Sequence, residues 1–374
     1  MVDLPPEIQR IARLTPLADA LACIDRLVAP DAPWRLPLAK AVGFTLAEDV
    51  FNRDEHPGSA IALRDGLAVR ADATLDASAY APVRLDGAPA YVDAGAALAA
   101  GADAVAPFEA VALHDGTVHV LTPLAPGDGV LPQGADAAPG DLLARAGTRL
   151  GASTVEALRA LGVTDVEVRN PVVCIARANR GNDAIIDAVA GLLARTVAAA
   201  GAHVREAERT GLAGALEQPG RTAIILIGGS GSGPRDRSVA DLSRRGEIAF
   251  HGVGLAPGET AAFGMIDKRP VLVVPGRLDA ALAVWLTLGR RMVARLAGHD
   301  DVEPTTPVTL TRKIASTLGL AEIVPVARAD GGVAPLASGY LPLQALARAD
   351  GYVLVPADSE GFPAGAAVAM RPLP

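Results

Sequence analysis

Between residues 171 and 300 the chain alternates continuous apolar runs with stretches whose apolar positions recur every three or four residues. Val172, Val173, Cys174, Ile175 and Ala176 form one run, 222–227 contains a second that is apolar on both faces, and Val271 to Val274 form a third. Each is of strand length. Val204 opens a further, more polar strand. Ile185, Ile186, Val189, Leu192, Leu193 and Val197 fall at helical spacing, as do Leu282, Trp285, Leu286, Met292 and Leu296, with Gly298 placed to end that last helix. Apolar strands alternating with helices predict a parallel sheet covered on both faces.

The flanking segments have other rhythms. Leu17, Leu21, Ile24 and Leu27 predict an amphipathic helix with Thr15 as its N-cap and Pro16 as its first residue. From there to about Gly147 the chain is rich in Gly, Pro and Asp. Short strand-like pieces at 66–70, 82–85, 104–109 and 118–121 predict a small β-rich domain. Residues 148–168 read as helix and then strand. Pro304 and Pro307 mark a linker, and short strands at 308–312, 323–326, 352–355 and 367–370 predict a C-terminal β domain. The expected division is 1–48 with 147–170, then 49–146, 171–300 and 306–374. The fold class is α/β with additional β-rich domains.

Composition narrows the function classes. Hydrophobic residues make up 50% and aromatics 3%, so the cores must be built from Ala, Val and Leu. No apolar run approaches the roughly 20 residues that cross a bilayer. Charged residues Asp3, Glu7, Arg10 and Arg13 interrupt the start, so a soluble, cytoplasmic protein with no membrane partner is expected. Cys23 and Cys174 suit reduced, buried positions better than a disulfide or metal site. A net charge of −8 argues against a nucleic-acid partner. The six histidines show no ligand-spaced pair.

Candidate chemistry concentrates at strand ends. After Ile227 come Gly228, Gly229, Ser230, Gly231, Ser232, Gly233, Pro234, Arg235, Asp236 and Arg237. Glycines at the carboxyl end of a buried strand let backbone N–H groups gather round an anion, where open α/β sheets bind ligands. The two serines add donors, the arginines add charge, and Asp236 is a candidate for a metal or substrate. No Gly-Lys-Ser/Thr follows, so this is not a P-loop, and the spacing is wrong for a dinucleotide fingerprint. The competing reading is a connection with solvated arginines. A second loop, Pro275-Gly276-Arg277-Leu278-Asp279, leaves a strand and enters a helix. It reads equally as an anion site or as a turn capped by Asp279. In Arg64-Asp65-Gly66 the Asp-Gly pair reads first as a turn.

These segments resemble, in order and spacing, the molybdopterin molybdenumtransferases, the family of bacterial MoeA and the gephyrin E domain. Residues 59–69 are similar to Ser-Ala-Met-Asp-Gly-Tyr-Ala-Val, with three extra residues before Asp65-Gly66. Gly134 to Leu150 resembles the end of the family's inserted β domain. Gly228 to Asp236 resembles Gly-Gly-Val-Ser-x-Gly-x-x-Asp, and Pro257-Gly258 with Phe263-Gly264 resembles Lys-Pro-Gly-Lys-Pro…Phe-Gly. Pro275-Gly276 resembles the start of Pro-Gly-Asn-Pro-x-Ser. Residues 310–314, Ser338-Gly339, Ala349-Asp350-Gly351 and Glu360-Gly361 resemble the C-terminal domain. The resemblance implies a MoeA-like architecture with a central parallel-sheet molybdopterin-binding domain and an elongated homodimer. It implies molybdopterin in adenylylated form, molybdate and Mg²⁺, and a site completed by the second subunit. It also implies Asp65, Asp136 and Asp236 as site carboxylates, with Asp236 the metal candidate. The residues from Gly228 to Gly233, together with Pro275, Gly276, Arg277 and Ser338, are implied as cofactor contacts.

Several positions depart from that pattern. Arg177-Ala178-Asn179-Arg180 stands in the place of Thr-Gly-Asp-Glu, which removes an oxygen-donor set suited to Mg²⁺. The two lysines of Lys-Pro-Gly-Lys-Pro are Ala256 and Glu259. The asparagine and serine after Pro-Gly are Arg277 and Ala280, and a threonine expected before Gly95 is Ala94. Arg177, Arg180, Arg235 and Arg277 are expected to crowd the strand ends, which makes Mg²⁺ doubtful. The leading reading is insertion of molybdate into molybdopterin. The alternative is a non-catalytic member that carries cofactor to a molybdoenzyme or regulates it, and a dimeric scaffold comes last.

Overall fold

A computed structural model describes residues 9–87, 89–178, 183–207, 211–220 and 222–374, and the chain divides into two compact units. The first comprises 1–48, 146–152 and 165–374; the second comprises 49–145 and 153–164.

The centre of the first unit is a six-stranded sheet. Its strands, in chain order, are β1 (Val172–Arg177), β2 (His203–Glu206), β3 (Ala223–Ile227), β4 (Glu247–His251), β5 (Ala262–Ile266) and β6 (Arg269–Val274). Across the sheet they run β2-β1-β3-β6-β5-β4. The first four in that order are parallel. β5 and β4 then extend the sheet with antiparallel pairing. This antiparallel edge was not legible in the hydrophobic pattern. It depends on a two-residue turn in which Asp267 and Lys268 both take positive φ, +47° and +65°, the backbone that a tight hairpin needs.

Period-two alternation sends the side chains of each strand to two cores. Val173, Ile175, Ile225, Ile227, Leu272 and Val274 face one layer, with Val189, Leu193 and Val197 of helix α1 (Ala184–Ala199). Cys174, Ala176, Ile224, Leu226, Val271 and Val273 face the other, against Leu212 and Ala215 of α2 (Gly211–Glu217) and Val239 and Leu242 of α3 (Ser238–Arg245). Each fully buried Val, Leu or Ile contributes about 1.5–3 kcal/mol of transfer free energy, so both faces of the sheet are strongly specified. Cys23 and Cys174 are buried thiols.

The long helix 278–297 is interrupted by a π-turn at Trp285–Gly289. Gly289 packs under the indole, where an added Cβ would lie 2.5 Å from Trp285 Cε3. Gly298, at φ +75°, ends the helix as its spacing predicts.

Thr15 does not cap a helix. Thr15–Pro16 is extended and pairs in parallel with Val253–Gly254, and the Thr15 N–H donates to the Gly252 carbonyl at 3.0 Å. The helix Leu17–Leu27 therefore begins without a side-chain cap. That pairing joins a second sheet, which also contains Val253–Ala256, Ala321–Ala329, Gly351–Val355, Ala367–Arg371 and Thr306–Thr309, with Gly332–Pro335 alongside Ala321–Ala329. The C-terminal strands thus recruit partners from far upstream, which local periodicity cannot reveal.

Arg291 anchors the helix Leu17–Leu27 by donating through Nε and Nη2 to both oxygens of Asp25, at 2.6 and 2.8 Å. The Arg291 hydrogen bond holds the Asp25 carboxyl below its usual range, against a smaller opposing effect of burial. A depressed carboxylate stabilises the fold above its unfolded pKa of about 3.9, and that contribution fades as pH falls through the folded value. Asp25→Asn should therefore lower the denaturation midpoint at pH 7, by less than about 1 kcal/mol for so exposed a pair. The gap between the two proteins should narrow at pH 3. Urea titrations at both pH values check it, and an undiminished gap at pH 3 contradicts it.

The second unit is built from short strands. Gly66–Val69 lies between Ala90–Val92 and Ala104–Ala106, and Thr117–Val120 lies between Val111–His114 and Val83–Arg84. Val69, Leu85, Ala104, Ala106, Val120 and Leu124 form its main core. No helix among the described residues is long and apolar enough to cross a membrane.

Candidate functional site

The order of the parallel strands reverses between β1 and β3, so their carboxyl ends frame a crevice of the kind where α/β sheets receive ligands. Arg177 ends β1, the glycine loop 228–233 follows β3, and Pro275-Gly276-Arg277 follows β6. Gly228 donates its N–H to the Val274 carbonyl at 2.8 Å. A Cβ on Gly276 would lie 3.7 Å from Gly228 Cα. The two loops are thus in contact.

The glycine loop is held by its carbonyls. Ser238 Oγ donates to Gly228 O at 2.7 Å, and Ser238 N donates to Gly229 O at 3.0 Å. Gln9 Nε2 donates to Gly229 O and Gly231 O at 2.7 and 2.6 Å. His251 Nε2 hydrogen-bonds Ser230 O at 2.9 Å, which makes Nε2 the protonated nitrogen. The amides of Gly229, Ser230, Gly231 and Ser232 have no partner among the described residues. Gly229 and Ser230 are buried, Ser230 to 2% exposure. A buried N–H without a partner costs about as much as a lost hydrogen bond, so this loop has an unmet demand for an acceptor. Ser230 Oγ pairs with Thr260 Oγ1 at 2.9 Å, and Ser232 is exposed.

Asp236 braces this loop from inside. Its Oδ2 accepts from Gly233 N at 2.9 Å, and its own N–H donates to Gly233 O at 2.9 Å. Added Cβ atoms at Gly231 and Gly233 would lie 2.8 and 2.9 Å from that oxygen. The glycines make room for the carboxylate as much as for a ligand. Among the described residues no group of three or more His, Cys, Asp or Glu could hold a metal ion. Residues 179–182 lie outside the described residues, and by sequence they are Asn, Arg, Gly and Asn. Among the described residues the loop's one carboxylate, Asp236, is turned to Gly233 N, which does not make a Mg²⁺ donor set.

Of the arginines expected to crowd the strand ends, Arg177 and Arg277 stand there, each paired with carboxylates. Arg177 is held by Asp187 at 3.2 Å and Glu206 at 3.5 Å. Arg277 donates through Nε to Asp279 at 3.1 Å and through Nη2 to its other oxygen, and lies 5.0 Å over the Tyr340 ring. The hydrogen bond to Asp279 strengthens the guanidinium's hold on its proton, against a smaller opposing effect of burial, with Tyr340 and Glu259 adding to it. Arg235 is exposed, and Arg180 lies outside the described residues.

Asp279 does not cap the helix. It sits buried in the first turn, pairs with Arg277 and accepts weakly from Leu341 N at 3.4 Å. Ser338, the C-terminal candidate, donates to Ala315 O at 3.0 Å and Glu322 Oε1 at 2.6 Å. Gly339 N donates to the same carboxylate oxygen at 2.6 Å. Buried Glu322 thereby fixes the turn that carries Tyr340 to Arg277.

Asp65 and Asp136 belong to the second unit. Asp65 Oδ1 accepts from Ala94 N at 2.8 Å. Its neighbour Gly66 begins a central strand instead of occupying a turn. Asp136 is exposed, and its carboxylate has no partner among the described residues. Gln9, Ser238, His251, Glu322 and Tyr340 were missed in the sequence, and Asp279 was read there only as a cap. Gln9 is 220 residues from Gly229, and nothing local marks it. Asp279 carried a signal in its i+2 spacing from Arg277.

Three family models match the chain in succession. "MoeA N-terminal region (domain I and II)" matches 15–162, "Probable molybdopterin binding domain" matches 163–295, and "MoeA C-terminal region (domain IV)" matches 307–373. Molybdopterin molybdenumtransferase 1 of Mycobacterium tuberculosis is 29% identical over 405 aligned positions, covering 90% of this chain and 94% of that protein. A candidate molybdopterin biosynthesis protein of Methanocaldococcus jannaschii is 31% identical over 145 residues, 38% of this chain and 34% of that relative. The crystal structure of a molybdopterin biosynthesis MoeA protein from Pyrococcus horikoshii superposes with a TM-score of 0.75 at 26% identity, covering 97% of this chain and all of that one. On the strength of three consecutive domain matches in the family's own order, over a shared fold, the chain belongs to the MoeA family of molybdopterin molybdenumtransferases.

Proposed function

We propose that the chain inserts molybdate into molybdopterin, acting as a homodimer in the cytoplasm, with the pterin's phosphate end seated on the glycine loop. The observation that carries this reading is the asymmetry of that loop. The carbonyls of Gly228, Gly229, Ser230, Gly231 and Gly233 are taken up by the protein, while the amides of buried Gly229 and Ser230 have no partner among the described residues. An adenylylated pterin suits the same loop, because a diphosphate offers more acceptor oxygens than a monoester.

Insertion forms two Mo–S bonds from the dithiol and breaks one Mo–O bond, and that oxide leaves with the two thiol protons as water. The protein's part is to hold both reactants in register and to offset their combined negative charge. No step is assigned to Mg²⁺. Asp65 and Asp136 are proposed as carboxylates that contact substrate, and Asp236 as the residue that keeps the loop in shape. Pro275 and Gly276 border the loop, and Ser338 contributes through the turn it stabilises.

The test incubates the purified full chain with molybdopterin and molybdate, then measures pterin-bound molybdenum and reconstitution of an apo-molybdoenzyme. The wild type should load molybdenum, and Asp236→Ala should abolish loading. Pterin binding without loading would transfer the assignment to a cofactor carrier. Absence of pterin binding would overturn both.

A further inference from the structure

We infer that Arg277, set in place by Asp279 and Tyr340, is the group through which this site takes the phosphate of its ligand, without a divalent metal ion. The inference rests on the glycine loop being the anion cradle. Arg277 directly follows Gly276, which is in contact with Gly228, and Glu259, which acts on its guanidinium, adjoins Thr260, the partner of Ser230 in that loop. Its side chain is 60% exposed, whereas that of Asp279 is 4% exposed. A buried anchor therefore holds an accessible head.

The donor inventory leaves room for a ligand. A guanidinium has five N–H groups in a rigid fork. Nε and Nη2 serve Asp279, and Nη1 has no partner among the described residues. The Tyr340 face at 5.0 Å restricts the plane of the fork. A planar fork held in this way matches two oxygens of one phosphate, which an ammonium group cannot do.

Two departures from the family pattern point the same way. Glu259 stands where the pattern has lysine, and Arg277 stands where it has asparagine. Glu259 acts electrostatically on Arg277, so both substitutions bear on one locality. In the same crevice, the carboxylates of Asp187 and Glu206 are engaged by Arg177. Fixed guanidinium groups occupy the carboxylate side of the site where a metal ion would need open oxygen donors. Asp279 is a positioning residue, because it acts through Arg277.

Two ligands separate this inference from the pterin reading. The full chain is titrated with molybdopterin by pterin fluorescence, in EDTA and in excess Mg²⁺, and with inorganic pyrophosphate by calorimetry in EDTA. The wild type should bind both in EDTA. Arg277→Ala should weaken both by about tenfold or more, the value of a charge-assisted contact. Arg277→Lys should fail to restore either. Asp279→Asn should weaken binding in the wild-type background and have no further effect on top of Arg277→Ala, whereas a merely structural role would add. Arg277→Ala/Asp279→Ala removes the pair together and should match Arg277→Ala. Wild-type affinity in that double variant would trace the single loss to a stranded carboxylate and overturn the inference. So would wild-type binding that requires Mg²⁺, or unchanged affinity in Arg277→Ala. Arg277-dependent binding of pyrophosphate with no molybdopterin binding would sink the pterin reading and leave the anion site standing.

Discussion

Replacing Gly229 with alanine should both destabilise the first unit and abolish tight pterin binding. Gly229 takes φ +68°, and a Cβ built there lies 2.4 Å from Ser238 Oγ and 3.3 Å from Ser238 N. The positive φ costs an alanine about 1–2 kcal/mol. The contact adds about 1–3 kcal/mol, because Ser238 cannot simply rotate away. Its hydroxyl is committed to Gly228 O, and its amide to Gly229 O itself. Relief of the clash would shift the loop carbonyls off Gln9, and with them the amides of Gly229 and Ser230. A chain of two units is not expected to unfold in one step, so scanning calorimetry is the suitable measurement, with pterin fluorescence for affinity. Gly319→Ala is the control, since that glycine has φ +89° with nothing within 4 Å of an added Cβ. It should show backbone strain alone. If Gly229→Ala melts no lower than Gly319→Ala and binds pterin normally, the packed loop described above is wrong.

The two halves of the site were unequally legible before the structure. The glycine loop announced itself because its chemistry is local: a buried strand followed by four glycines and two serines in six residues. The strands around it were legible for the same reason, since four or five consecutive apolar residues bounded by turn signals read as a buried strand. Everything that holds the loop came from elsewhere. Gln9, His251 and Thr260 act on it through contacts separated by 21 to 222 residues, and no periodicity encodes such contacts. The arginines were misjudged because charge can be counted from sequence but pairing cannot. Arg177 and Arg277 looked like a positive pocket, yet each meets a carboxylate placed by a neighbouring element or turn. What remains is a site whose arginines at 177 and 277 are each matched by a carboxylate and fixed in geometry. That suits a ligand recognised by hydrogen-bond geometry more than one drawn in by a broad field.

Asp65-Gly66 shows how one dipeptide can hold two separable roles, and the separation can be measured. Gly66 begins the central strand of its sheet, between Ala90–Val92 and Ala104–Ala106. A Cβ there would lie 2.3 Å from the Ala106 carbonyl oxygen and 2.9 Å from Val105 Cγ1. The nearer obstacle is backbone that belongs to the neighbouring strand of the same sheet, so it can yield only if the ladder between Leu67 and Ala106 opens. Gly66→Ala should therefore cost about 3 kcal/mol or more, at the upper end of overpacking penalties. Hydrogen exchange should show the amides of Gly66–Val69 and Ala104–Ala106 losing protection. Asp65→Asn poses the opposite case. The amide oxygen can still accept from Ala94 N, so protection in those strands should remain while molybdenum loading falls if the carboxylate contacts substrate. A carboxylate needed only to shape the turn would leave loading intact in Asp65→Asn. Unchanged exchange in Gly66→Ala would mean that the strand can part more easily than its close approach to Ala106 allows.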